Sequence, residues 1–292
     1  MTRMLNVAIL GSGKIGIDLL CKIRKSKVLS CELVAGRNLK SEGLIFARKK
    51  GFNVSNKGID AIINKKENID LVFDATSAKD HLTHWEILKK TNINVIDMTP
   101  SKIGCPIIPT INLDDALVNK NINMVSCGGQ SSIPLIHTVK KILGNRVQYI
   151  ELVSSIASIS AGPATRINID EYVTNTASAI KEFSGNKANK VILILNPAEP
   201  PIYMQTTLSF LLKDNNINLS SLTKNLHTTI NRVKEYITGY DLALDPKIIE
   251  KRLVIMIKVI GNGDYLPKFS GNLDIINAAA IKVAEHIAHN KI

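Results

Sequence analysis

The stretch Asn123-Met124-Val125-Ser126-Cys127-Gly128-Gly129-Gln130 concentrates residue types that do covalent chemistry, and Ser131-Ser132-Ile133-Pro134 follows it directly. A short apolar run ends in a thiol, two glycines permit a tight turn, and Ser131 or Ser132 with Pro134 reads as a helix start. The pattern predicts that Cys127 closes a strand beside a helix N-terminus. Amide N–H groups and the positive dipole end favour thiolate over thiol there, as a nucleophile requires near neutral pH. The competing reading is a small buried hydrophobe, the commoner fate of a cysteine.

A second chemical signature lies at the N-terminus. Leu5-Asn6-Val7-Ala8-Ile9-Leu10 reads as a strand and runs into Gly11-Ser12-Gly13-Lys14-Ile15-Gly16, then into a helical stretch from Ile17 to Lys25. A G-x-G-x-x-G turn between strand and helix is the dinucleotide-binding arrangement. Its glycines serve the tight turn, the approach of a pyrophosphate and close helix packing. The next strand, Glu32-Leu33-Val34-Ala35, ends in Gly36-Arg37-Asn38 rather than in the acid that meets the ribose hydroxyls of NAD. Asn38 can still bond a ribose hydroxyl and Arg37 can meet a 2′-phosphate, so NAD and NADP both remain open.

The elements that must position these groups follow in alternation. A helix is expected from Ser41 to Lys50, strands at Ile69–Asp74 and Asn94–Met98, and a helix from about Lys79 to Thr91. Asp74, Thr76 and Thr99 fall at strand C-terminal ends, where open α/β sheets bind ligands and where caps and turns also use Asp and Thr. This alternation predicts an α/β protein with a Rossmann-type doubly wound parallel sheet. Beyond Gly144 the pattern changes. Strands are expected at Val147–Ser158, Val191–Leu195, Tyr203–Leu212 and Arg252–Ile260, with helices at about Ile169–Phe183 and Leu222–Tyr236. These form a second, α+β domain. The loop Ser160–Asn168 is either a connection or a ligand-facing segment. A polar Gly271-Asn272 turn feeds a terminal helix, giving expected domains of 1–127 plus 272–292 and 128–271.

Composition excludes several classes. Hydrophobic residues at 45% and charged residues at 21% are those of a soluble globular chain. Cys21, Cys31, Cys105 and Cys127 lack zinc-site spacing and disulfide density, which suits free thiols in a reducing, cytoplasmic setting. No metal site is expected. The net charge of +12 is spread over scattered lysines and only 4% of residues are aromatic, which argues against nucleic acid. No segment reads as a signal peptide or membrane span.

Taken together, these blocks resemble the acylating, CoA-dependent acetaldehyde dehydrogenases that work beside a 4-hydroxy-2-oxovalerate aldolase. The resemblance is carried by Gly11–Gly16, Phe73-Asp74-Ala75-Thr76-Ser77-Ala78, Asp97-Met98-Thr99-Pro100, the Cys127 block, Ser160–Asn168 with Ile169-Asp170-Glu171, Asn196-Pro197-Ala198-Glu199-Pro200-Pro201, and Gly271-Asn272-Leu273-Asp274-Ile275. It implies that Cys127 carries an acyl thioester and that the Asn168 amide, or backbone N–H groups, meet the oxyanion. It further implies a cofactor site lined by Ser12, Gly13, Lys14, Ile15, Ser160, Ala161, Gly162, Pro163, Ala164, Thr165, Arg166, Ile167, Asn168 and Asn272. CoA is then co-substrate to a short-chain aldehyde, the second domain serves catalysis and dimerisation, and a homodimer and an aldolase partner are expected.

Two features depart from the family pattern. Met204-Gln205-Thr206-Thr207 puts Thr206 where a carboxylate is usual, and a hydroxyl is no general base at neutral pH. Either the helix dipole suffices, another group substitutes, or turnover is slow. The segment between Tyr240 and Arg252 is also shorter than usual. Two alternatives follow: a phosphate-using semialdehyde dehydrogenase, which would want a histidine base that His81, His84, His137 and His227 do not supply in any motif, or a non-catalytic dinucleotide-binding sensor or partner subunit.

Overall fold

The computed structural model describes residues 4–162 and 166–291. The chain divides into two compact units. The first runs to Val125 and takes in Asp264–Leu266 and the C-terminal residues from Ile276, while the second comprises Ser126–Gly263 and Pro267–Ile275. Cys127 lies in the second unit, next to its first residue, Ser126.

The first unit is built on a parallel sheet of β1 (Leu5–Leu10), β2 (Leu29–Ala35), β3 (Val54–Ser55), β4 (Leu71–Asp74), β5 (Asn94–Asp97), β6 (Cys105–Pro106) and β7 (Asn121–Asn123). Their spatial order is β3-β2-β1-β4-β5-β7-β6, and every pairing is parallel. β4 and β5 are buried along their whole length, as apolar runs covered on both faces must be. Crossover helices α1 (Lys14–Ile23), α2 (Glu42–Lys49), α3 (Gly58–Ile63) and α4 (Ala78–Leu88) connect them, and α5 (Pro109–Asn112) precedes β7. Ser41 and Ser77 cap α2 and α4 by accepting from Leu44 N–H and Asp80 N–H. Strand order reverses between β1 and β4, so the Gly11–Gly16 turn leaves β1 at the switch point where such sheets bind ligands.

Two glycines explain the geometry of that turn. A Cβ on Gly16 would lie 2.0 Å from the Gly11 carbonyl oxygen, so α1 can pack this closely only on glycine. Nothing lies within 4 Å of where a Cβ would stand on Gly13, the N-cap of α1, which leaves an open cradle over the helix start. From Ile276 onward the terminal helix α9 (Gly271–Lys291) is tied to α1 within this unit, Asn277 Nδ2 donating to Asp18 Oδ2 at 2.8 Å and to the Ile15 carbonyl at 3.2 Å. Lys22 pairs with Asp18 at 3.3 Å and with Asp264 at 2.5 Å, both contacts nearly closed to solvent.

The second unit is a mixed sheet in the order β11-β12-β10-β8-β9, from β8 (Val147–Ala157), β9 (Asn189–Asn196), β10 (Met204–Leu212), β11 (Tyr240–Ile249) and β12 (Arg252–Val259). Only the β8–β9 pairing is parallel. β10 and β12 alternate buried residues with half-buried or exposed ones, the period-two pattern of a sheet with one closely covered face. Helix α6 (Cys127–Leu143) lies over the central strands, α7 (Ile169–Ser184) beside β9 and α8 (Leu219–Lys234) beside β11. β11 is absent from the sequence expectation because Asp245-Pro246-Lys247 breaks its alternation. It survives as an edge strand, where proline costs no central ladder bond, and turns into β12 through Glu250 at φ 53°. Among the described residues no helix is long and apolar enough to cross a membrane.

Candidate active site

The thiol sits at a helix start that precedes the expected one at Ser131 or Ser132. β7 stops at Asn123, Val125 adopts φ 62°, and α6 begins at Cys127 with Ser126 as its N-cap. The Ser126 hydroxyl accepts from Gly129 N–H at 2.9 Å, which fixes the first turn, while Pro134 is carried inside the helix. A β-branched residue in the left-handed region is strained, and here the strain lies two residues from the candidate nucleophile. Asn123 Oδ1 holds the turn by accepting from Val125 N–H at 2.8 Å, and Asn123 Nδ2 donates to Asp97 Oδ2 at 2.8 Å.

The environment of Cys127 differs from the dipole-activated thiolate expected at a helix start. Burial pushes the thiol up to about 11, against the downward pull of the Tyr172 hydroxyl and of the Gly128 and Cys127 backbone N–H groups. Desolvation outweighs the helix terminus, so the resting group at neutral pH is the thiol. The side chain is nevertheless only half-buried, which leaves it approachable.

Tyr172, unremarked in the sequence, is brought to this thiol by α7. It stands four residues after Asn168, hence on the same helix face one turn further on, and this spacing was the available signal. Its hydroxyl is neighboured by the Cys127 thiol and the Ser154 hydroxyl. The start of α6 and the middle of α7 are fastened by Ser126 Oγ and Thr176 Oγ1 at 2.6 Å, with Thr176 donating to the Tyr172 carbonyl at 2.6 Å. Behind Tyr172, Ser154 Oγ meets Thr206 Oγ1 at 2.9 Å, and Thr206 lies 3.4 Å from Ser131 Oγ. Ser131, Ser154 and Thr206 are fully buried.

Gly128 is required by this arrangement, since a Cβ there would lie 2.1 Å from the Tyr172 hydroxyl oxygen. Gly128→Ala is expected to displace Tyr172 and to cost about 1–3 kcal/mol of stability by overpacking, measured as a lower urea midpoint with unchanged slope.

The other expected site residues separate between the two units. In the first, Ser12 Oγ meets Ser41 Oγ at 3.1 Å, Gly13 and Lys14 are exposed at the start of α1, and Ile15 is half-buried. In the second, Ser160 is buried and donates to the Ala157 carbonyl at 2.7 Å, Ala161 is buried and Gly162 half-buried. Arg166 turns back onto its own loop, donating to the Ala161 carbonyl at 3.2 Å and to the Ser158 carbonyl and hydroxyl at 3.0 and 2.9 Å. Ile167 is exposed and Asn168 opens α7. Pro163, Ala164 and Thr165 lie outside the described residues. Asn272 is buried, and its amide oxygen has no hydrogen-bond partner.

In the first unit Asp74, Thr76 and Thr99 serve an internal network at the strand ends. Asp74 is fully buried and faces His81 Nδ1 at 2.9 Å, His84 Nδ1 at 2.8 Å and Thr76 Oγ1 at 2.5 Å. Asp97 lies 3.6 Å from His81 Nε2, accepts from Ser101 Oγ at 2.5 Å, and takes Thr99 N–H at 2.7 Å. Burial opposes ionisation of Asp74, yet the histidine and threonine hydrogen bonds bring it down to about 2. Burial lifts Asp97 to about 6. Burial also disfavours a charged His81, but its bond to Asp74 and the charges of Asp97 and Asp74 raise it overall. Among the described residues no group of three His, Cys, Asp or Glu is placed to hold a metal.

A Rossmann-type sheet with its glycine turn, joined to a separate mixed-sheet unit, is the architecture of a two-part dehydrogenase. Residues 127–267 match the family model described as the dimerisation domain of prokaryotic acetaldehyde dehydrogenase. Acetaldehyde dehydrogenase of Pectobacterium atrosepticum is 48% identical over 99% of this chain and 97% of its own length. The acetaldehyde dehydrogenases of Spirochaeta aurantia and Geobacillus stearothermophilus are 50% and 42% identical, each over 98% of this chain and 95% and 97% of their own lengths. The chain belongs to the acetaldehyde dehydrogenase family and is an oxidoreductase.

Proposed function

We propose that this chain is an acylating aldehyde dehydrogenase, converting acetaldehyde or another short-chain aldehyde, CoA and NAD(P)⁺ to acyl-CoA and NAD(P)H. The observation that carries the reading is a half-buried thiol at the first residue of α6, beside two backbone N–H groups and the Tyr172 hydroxyl, in a chain so similar to acetaldehyde dehydrogenases. The Cys127 thiolate adds to the aldehyde carbon and gives a hemithioacetal whose oxyanion needs N–H or amide donors, a role we give to the start of α6 and to Asn168. A nicotinamide dinucleotide held by the residues assigned below would supply the hydride acceptor. A thioester on Cys127 remains, and attack by the CoA thiol releases acyl-CoA and returns the cysteine. Exclusion of water during that interval separates acyl transfer from hydrolysis.

Two features of the chain fit the dinucleotide. The open cradle at Gly13 leaves room for a pyrophosphate over a helix N-terminus, and the spare amide oxygen of buried Asn272 suits a carboxamide N–H. Ser12 to Ile15, Asn272 and the Ser160–Asn168 loop are accordingly the residues we assign to cofactor binding. Arg37 and Asn38 are exposed at the end of β2 with no acid between Gly36 and Asn38, and we read this edge as admitting NADP beside NAD. A homodimer through the second unit, cytoplasmic work and docking of a 4-hydroxy-2-oxovalerate aldolase complete the reading.

The test is reduction of nicotinamide by purified protein with acetaldehyde or propanal. CoA-dependent absorbance with NAD and with NADP is the expected result, and Arg37→Ala is expected to raise the KM for NADP about tenfold while leaving that for NAD unchanged. Phosphate replacing CoA would favour the semialdehyde class instead. Cofactor binding with no reduction of either coenzyme would sink the enzymatic reading.

A further inference from the structure

The site has no carboxylate at Thr206 and a thiol held neutral by burial, so something other than a general base must favour the thiolate. Three geometrical facts converge on one side chain. Tyr172 is 7% exposed, and its hydroxyl has no hydrogen-bond partner of ordinary geometry. That oxygen stands where a Cβ on Gly128, the residue after Cys127, would have to go, with Ser154 Oγ 3.3 Å from the same point. Finally, the α7 helix that carries it is fastened to the N-cap of α6 through Thr176 and Ser126.

Proton counting orients the hydroxyls behind it. Ser131 Oγ donates to the Gly128 carbonyl at 3.0 Å, so its single proton is engaged. Thr206 can donate to Ser154 at 2.9 Å, the shorter of its two hydroxyl contacts, the other being Ser131 at 3.4 Å. In that arrangement Ser154 donates toward Tyr172, and the Tyr172 proton is left for the sulfur. We infer that Tyr172 is the positioning residue that stabilises the Cys127 thiolate by donating its O–H to it, held in that orientation by the Thr206–Ser154 hydroxyl pair. This rests on the reading of Cys127 as the nucleophile. The thiol proton passes to solvent ahead of turnover, so no buried base is needed. Burial holds the phenol itself well above its ordinary value, which keeps it a donor throughout the working range.

The test is the pH dependence of iodoacetamide alkylation at Cys127, followed by mass spectrometry of its peptide, in the full-length wild type and in Tyr172→Phe. The midpoint is expected to rise by about one unit in Tyr172→Phe, a tenfold loss of thiolate at any pH below it. In the same protein kcat is expected to fall about tenfold at neutral pH and to recover toward wild type as the pH is raised, with KM for NAD unchanged. Identical alkylation profiles in the two proteins overturn the inference. Should Tyr172→Phe lose its fold, Ser154→Ala leaves the phenol in place and removes the group that orients it; an upward shift then supports the inference and an unshifted profile overturns it. Alkylation reads Cys127 whether or not turnover passes through it. Failure of the nucleophile reading would appear separately, as a Cys127→Ala enzyme that still reduces NAD.

Discussion

Replacing Cys127 by alanine is expected to lower kcat for CoA-dependent aldehyde oxidation by about 10⁴-fold or more, the scale seen when a covalent nucleophile is removed. The change deletes one sulfur from a half-buried position, so the fold is expected to survive with a urea midpoint close to wild type. Dinucleotide binding should be retained, because the change alters none of the residues assigned to the cofactor. Equilibrium binding of NAD alongside steady-state rates therefore separates loss of chemistry from loss of structure. A variant that retains more than a few per cent of wild-type kcat would mean that the acyl group does not pass through this sulfur.

The largest expected effect on stability lies at His81. His81→Leu is expected to cost about 3–5 kcal/mol at pH 7, because it removes the buried imidazole partner of Asp74 at 2.9 Å and leaves Asp97 without its nearby imidazole. Asp74 keeps His84 at 2.8 Å, whereas Asp97 keeps only neutral donors. The pH dependence follows from the signs. His81 is raised in the folded state, so its contribution is complete below the unfolded value of 6.5 and fades as pH rises through the folded one. Asp97 is raised to about 6, so the folded state holds a proton that the unfolded state lacks between roughly pH 4 and 6. Its uncompensated charge therefore disappears on acidification. Asp74, lowered to about 2, stays ionised throughout this window. The two effects have opposite signs in His81→Leu: the penalty should widen as pH falls toward 6.5, where the wild type gains its full histidine contribution, and narrow again below about 6 as Asp97 takes up its proton, read as urea midpoints that first diverge and then converge. A penalty that is constant with pH would show that His81 acts by packing alone.

Much of the first unit is legible in the sequence because its strands are short apolar runs bounded by glycine, serine and charged turns, and such runs have few other fates. The glycine turn is equally plain, since Gly11 at φ 117° and Gly16 against the Gly11 carbonyl answer steric demands visible in the residue type. The start of α6 is not, because Pro134 is a strong start signal and competes with Ser126, whose capping bond is apparent only once Gly129 N–H is seen to meet it. β11 is missed for a similar reason, as Pro246 and its charged neighbours argue locally against a strand that the sheet edge tolerates. The hydroxyl set at the thiol is harder still to foresee. Ser154 and Thr206 are paired only by the antiparallel register of β8 and β10, a long-range fact without a local signature. His81 and His84 read as ordinary helix-face histidines until β4 and β5 deliver Asp74 and Asp97 to them.

The neutral resting state of Cys127 also bears on the survival of the enzyme between turnovers. Oxidation to sulfenic acid and beyond proceeds through the thiolate. A thiol pushed up by burial is held largely in its neutral form at pH 7, the form less reactive toward peroxide. The same desolvation that disfavours the thiolate for attack on a carbonyl disfavours it for oxidation, so the two reactivities of this sulfur are tied together.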